Sequence, residues 1–134
     1  MGMIKDLWDI AKDVFDLEDK LLKQKKEKKI ALANLLQHIG DVLKDTYDKL
    51  SKPIYPAGNC EQLGVLSEDL YKELVDVVGE GEAALLSNKL NQAHNVEELY
   101  HVVNTITQEE LEQLDAASGR FIAVSQKLLA AGAI

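Results

Sequence analysis

"IALANLLQHIGDVLKDTYDKL", residues 30–50, is the stretch whose reading decides the fold. Leu32, Leu36, Ile39, Leu43 and Leu50 recur at steps of three, four or seven, and Leu35 and Val42 widen the same stripe. That period gives an α-helix one apolar face and one wet face, whereas a strand would alternate every second residue. Upstream the pattern continues through Ile4, Trp8, Ala11, Phe15 and Leu22, flanked by Leu7, Val14 and Leu21. Between Lys23 and Lys29 every residue is polar, and the stripe fades without losing phase. Either one long helix has a solvated middle turn there, or two helices meet. Because no proline or glycine interrupts the gap and lysine and glutamate favour helix, we expect a nearly continuous helix from about residue 3 to 51.

Downstream, Pro53 and Pro56 end that helix, since each lacks an N–H and forces its predecessor out of helical geometry. Asn59, with Gln62 three residues on, reads as the cap of a second helix carrying Leu63, Leu66, Leu70, Leu74 and Val77. Gly64 inside it points to close backbone packing. Gly79 and Gly81 stop it. A shorter helix follows through Ala83, Ala84, Leu86 and Leu90, and Asn95 with Glu98 opens another through Val96, Leu99, Tyr100 and Val103. Thr107 with Glu110 is a Thr-x-x-Glu capping box before Leu111, Leu114, Phe121, Val124 and Leu128. No alternating strand pattern occurs. The expected fold is an all-α, antiparallel helical bundle over residues 1–134 as a single domain, with a long N-terminal helix (or helix pair) and three to four further helices.

A chain of 134 residues, 46% hydrophobic and 28% charged, can bury a core without disulfides or metal. It has one cysteine, no basic-then-apolar leader at its start and no long uncharged apolar run, so the expected compartment is the cytoplasm. The net charge of −8 is unevenly spread: residues 20–29, "KLLKQKKEKK", set six lysines against Glu27 for a local +5, leaving −13 elsewhere. Overall acidity disfavours nucleic acid. Asp6, Asp9, Asp13, Asp16, Glu18 and Asp19 just upstream disfavour an anionic membrane. The lysines instead suit an acidic protein partner, a neighbouring copy, or acidic stretches of the same chain such as Glu109, Glu110 and Glu112.

Candidates for chemistry are few. Cys60 falls in a helix's first turn, where the dipole would lower a thiol's pKa, but no motif supplies a base. Glu98 and His101 form one Glu-x-x-His unit; a carboxylate-bridged dimetal bundle needs two, and Leu35 and Asn91 stand where His38 and His94 would need a glutamate. Cys60, His94 and His101 are zinc-type ligands at spacings that match no signature. No catalytic, cofactor or metal residue is assigned. Trp8 and Phe15, one heptad apart, are expected in the core, or else as aromatics offered to a partner.

The succession "LWDIAKDVF", lysine run, "IGDVLKDTYDKL", "IYPAGNCEQL", "VVGEGEAALLSNKLNQAHNVEELY" and "LDAASGRFIAVSQKLL" resembles a group of uncharacterised bacterial, largely cyanobacterial, small helical domains. The Pro-x-Gly-x-Cys corner, here Pro56, Gly58 and Cys60, carries the likeness, with "VVGEGEA" after it. The resemblance implies a helical adaptor of the kind found beside signalling or defence NTPases, and no enzyme. The expected function is a non-enzymatic, self-associating protein–protein interaction or scaffold module without cofactor, docking through Lys23, Lys25, Lys26, Lys28 and Lys29. The alternatives are a membrane-active effector using the amphipathic first helix, and a metal-dependent enzyme in the bundle interior.

Overall fold

The computed structural model describes residues 2–92 and 103–132. Six helices account for most of them: α1 (Gly2–Asp16), α2 (Glu18–Leu22), α3 (Lys26–Ser51), α4 (Ala57–Val78), α5 (Glu80–Asn91) and α6 (Gln108–Gly132). There is no strand among the described residues. The expected helix at Asn95–Val103 lies almost wholly outside them.

The N-terminal segment is two arms, which corrects the expectation of one helix from 3 to 51. α1 and α2 form the first arm. Across Leu17 the ladder persists, with Leu17 N–H donating to the Asp13 carbonyl at 3.1 Å and Leu21 N–H to the Leu17 carbonyl at 3.0 Å. The chain then turns at Lys23–Lys25, where Lys25 is extended (φ −62°, ψ 157°). A helix of that full length would be a rod of about 70 Å, exposing much of its stripe. Folding back buries both halves, and the all-polar run 23–29 loses no apolar contact by breaking.

α6 anchors the core. Leu114, Ala117, Phe121, Val124 and Leu128, at steps of three and four, are all fully buried. The packing order closes a ring: α1 beside α6, α6 beside α3, α3 beside α4, α4 beside α5, and α5 beside α1. A ring of five alternating rods must contain one parallel pair, and that pair is α1 and α6. Lys127 meets Glu18, and Arg120 covers Trp8 and Phe15, so position rises along both helices together.

The antiparallel α3–α6 seam is the tightest. Ser118 Oγ donates to the Gly40 carbonyl at 2.7 Å, and Ser125 Oγ to the Ala33 carbonyl at 2.6 Å. These rungs are one heptad apart on both helices, so both fit only one register. A Cβ on Gly40 would lie 2.6 Å from Ile122 Cγ1 and 3.2 Å from the Ser118 carbonyl oxygen. Gly40 is therefore a point of close helix approach. Two other sequence signals take their expected form. Thr107 N–H donates to Glu110 Oε1 at 3.0 Å and Glu110 N–H to Thr107 Oγ1 at 3.1 Å, the complete capping box. Gly79 turns α4 into α5 in a single residue at φ +91°, a conformation that glycine alone adopts cheaply.

Candidate docking surfaces

The lysine run caps one end of the bundle, where α2 turns into α3. Lys20, Lys23, Lys25 and Lys26 are exposed and Lys29 is half-buried. No ion pair among the described residues reaches these five ammonium groups. Lys28 differs: its Nζ lies 3.0 Å from Glu73 Oε1 and 3.0 Å from Asp76 Oδ1 on α4. Desolvation pulls its pKa down, but the hydrogen bonds and charges of Glu73 and Asp76 outweigh it, and the net shift is upward. The intramolecular acids are therefore on α4. Lys26, Lys28 and Lys29 occupy the first turn of α3 with Glu27 as the one acid, and the N-cap Lys25 makes no capping bond. Cations there oppose the helix dipole, at about 0.3–1 kcal/mol each when exposed. The run works against the stability of the helix it opens.

The outer face of α4 is acidic. Glu61, Glu68, Asp69, Glu73 and Asp76 stand against Lys72 alone. At its centre Val65 is 63% exposed, the most exposed large apolar residue described. Beside it a groove of about 340 Å³ runs between α3 and α4, lined by His38, Glu61, Gln62, Val65, Leu66 and Asp69. It continues as a second hollow of about 290 Å³ that shares His38, Leu66 and Asp69 and reaches Lys72 and Glu73. No local pattern of residues marks this groove, because its two walls come from different helices.

Trp8 and Phe15 are not ordinary core. The fully buried stripe of α1 is Ile4, Leu7, Ile10, Ala11 and Val14, while Trp8 is half-buried and Phe15 is 41% exposed. Arg120, the chain's single arginine, reaches over from α6, its guanidinium carbon 4.8 Å from the Trp8 ring centre and 5.0 Å from that of Phe15. The aromatics are thus covered by a cation of the same chain.

The Pro-Gly-Cys corner is structural. Asn59 does not cap α4, because Pro56 holds the cap position and α4 begins at Ala57. Instead Asn59 is buried between α3 and α4. Its Oδ1 accepts from Lys49 Nζ at 2.7 Å, and its Nδ2 donates to Thr46 Oγ1 and Asp45 Oδ2, both at 2.9 Å. The Asn59 bond, then that of Lys49, lowers the Asp45 pKa. Cys60 is 3% exposed; burial, then the charge of Glu61, raises its thiol to about 11. Helix-dipole activation does not prevail. His38 is exposed on the groove wall, whereas Glu98, His94 and His101 lie outside the described residues. Among the described residues no three of His, Cys, Asp and Glu gather as a metal site, and no helix is long and apolar enough to cross a membrane. Comparison with protein-family models, with curated proteins and with solved structures yields no match, so the functional reading rests on these surfaces.

Proposed function

We propose that this chain is a non-catalytic helical interaction module that recognises an acidic protein surface through the lysine-rich turn. One observation carries the reading: Lys20, Lys23, Lys25 and Lys26 are exposed without an ion pair among the described residues, and Lys25 and Lys26 lie at a helix start that their charge destabilises. A run whose only task was solubility would sit as well on a mid-helix face, without that cost. Lys28, half-buried against Glu73 and Asp76, orients the first turn of α3, and Lys29 flanks the docking face. The membrane alternative has less support. Its amphipathic helix, α1, has its apolar face 0–1% exposed against the bundle, and release would uncover Ile4, Leu7, Ile10 and Val14 together.

The test is the triple variant Lys23→Glu, Lys25→Glu, Lys26→Glu. Acids are favourable at a helix N-terminus, so its thermal midpoint should hold or rise. Its association, followed by light scattering of the purified chain and by pull-down from extracts of the source cell, should be lost. Association equal to wild type refutes the docking role. Co-sedimentation of the wild type with phosphatidylserine vesicles would favour the membrane reading instead.

A further inference from the structure

We infer that the acidic outer face of α4, with the groove it forms against α3, receives the lysine-rich turn of a second copy of this chain. This rests on the docking role of the lysines proposed above and names their partner surface. The first argument is charge. The run 20–29 carries +5, and α4 carries −4 over 57–78, the most negative net charge of any described helix. The second is a precedent within the molecule. Lys28 already bridges Glu73 and Asp76 at 3.0 Å to each, which shows that the C-terminal end of this face accepts an ammonium group between two carboxylates.

Further along α4, Asp69 lines the groove against α3 and Glu68 stands on the side of the helix toward α5, and no ion pair among the described residues reaches either. The third argument is apolar surface. Val65 stands 63% exposed beside the groove, with Leu66 at its floor. The four-carbon stem of a lysine can lie over such a spot while its head reaches the flanking carboxylates. Neither charge alone nor an apolar patch alone would select lysine over a simple cation or a greasy helix.

The two surfaces do not coincide. The lysine turn is at one end of the bundle, and Val65, His38 and Asp69 lie midway along its side. Each copy therefore offers one donor surface and one acceptor surface at once, a head-to-side contact that builds rings or open chains. This geometry sets the experiment. Sedimentation velocity of the full chain at low salt, over a concentration series, should show wild-type assembly beyond the monomer. Salt of about 1 M, where the screening length falls to about 3 Å, should reverse it.

The end variant (Lys23→Glu, Lys25→Glu, Lys26→Glu) and the face variant (Glu68→Lys, Asp69→Lys), each shown folded by circular dichroism, should associate roughly tenfold or more weakly when alone. Mixed together, they should assemble again with the two variants alternating, because the lysine turn of the face variant meets the acidic face of the end variant and the two reversed surfaces match each other in the same way. A chain carrying both reversals should assemble again. A wild type that stays monomeric up to about 1 mM overturns the second-copy assignment, whatever other partner the lysines bind. Wild-type assembly that the end variant abolishes and the face variant leaves intact overturns the α4 face while sparing the lysine docking role. Assembly undiminished in the end variant overturns both.

Discussion

Adding one methyl group at Gly40 should destabilise the protein, and removing a side chain opposite should reverse the sign. Gly40 is buried mid-helix, where alanine would ordinarily gain about 1 kcal/mol. The new Cβ, however, would sit 2.6 Å from Ile122 Cγ1 and 3.2 Å from the Ser118 carbonyl oxygen. Cγ1 is an inner atom of the isoleucine, so the whole side chain must rotate or the helices must part. Overpacking of this kind costs about 1–3 kcal/mol. Parting the helices also stretches the buried Ser118–Gly40 hydrogen bond, worth about 1 kcal/mol. Against the propensity gain, Gly40→Ala should lose about 1–3 kcal/mol net. In an Ile122→Ala background the isoleucine clash is gone and only the 3.2 Å approach to the Ser118 carbonyl oxygen remains, so the same substitution should be neutral or stabilising by up to about 1 kcal/mol. Urea unfolding followed by far-UV circular dichroism on all four proteins of the cycle gives the coupling, expected near 2 kcal/mol. A coupling under about 0.5 kcal/mol, within the additivity of independent sites, or an outright gain from Gly40→Ala alone, would refute the tight α3–α6 seam.

Asn59→Ala removes hydrogen bonds to Thr46, Asp45 and Lys49. The loss should be about 2–3 kcal/mol in urea unfolding at unchanged m value, since Asp45 and Lys49 are partly exposed and still pair with each other at 3.2 Å; a loss under about 0.5 kcal/mol would mean the asparagine is incidental. Stability should also be level through the middle of the pH range and fall at both ends. Asp45 and Asp76 have lowered pKa values, through bonds from Asn59 and from Lys28 respectively, so what they add is present above about pH 4 and lost as pH falls through their folded values. Lys28 is raised by Glu73 and Asp76 against its own desolvation, and Lys44 by its bond to Asp115, so their part is full below about pH 10 and lost as pH rises through their folded values. Asp76→Asn should flatten both limbs of the urea-midpoint profile, and identical profiles for variant and wild type would contradict the Lys28 bridge.

Helix positions and most of the core were legible because steps of three and four along α3, α4 and α6 leave one solution for which side is buried. The Thr107–Glu110 box was legible for a similar reason: all its atoms lie within four residues. Features that depend on a distant helix were not. Lys23–Lys29 contains no helix breaker, and only the gain from burying both arms decides that it turns. In α1 nearly every second or third residue is apolar, so its phase was ambiguous; the smaller Leu7, Ile10 and Val14 took the core and the bulkier Trp8 and Phe15 went to the flank beneath Arg120. Asn59 satisfies every local requirement of a cap, yet its hydrogen-bond partners are on α3. Lys28 looked like its neighbours until α4 placed Glu73 and Asp76 beside it. The candidate surfaces were half visible for the same reason, the lysines as a run in sequence and the α4 groove only in three dimensions.

The burial of Cys60 has a practical consequence. A sole thiol, shut away at the foot of α4 and raised to about 11, is almost entirely protonated and shielded at neutral pH. A thiol reagent can reach it only when the first turn of α4 lifts from α3. The unaltered protein therefore carries its own stopwatch for that opening. The labelling rate, compared with global unfolding, would show whether the corner breathes by itself or only when the whole bundle comes apart.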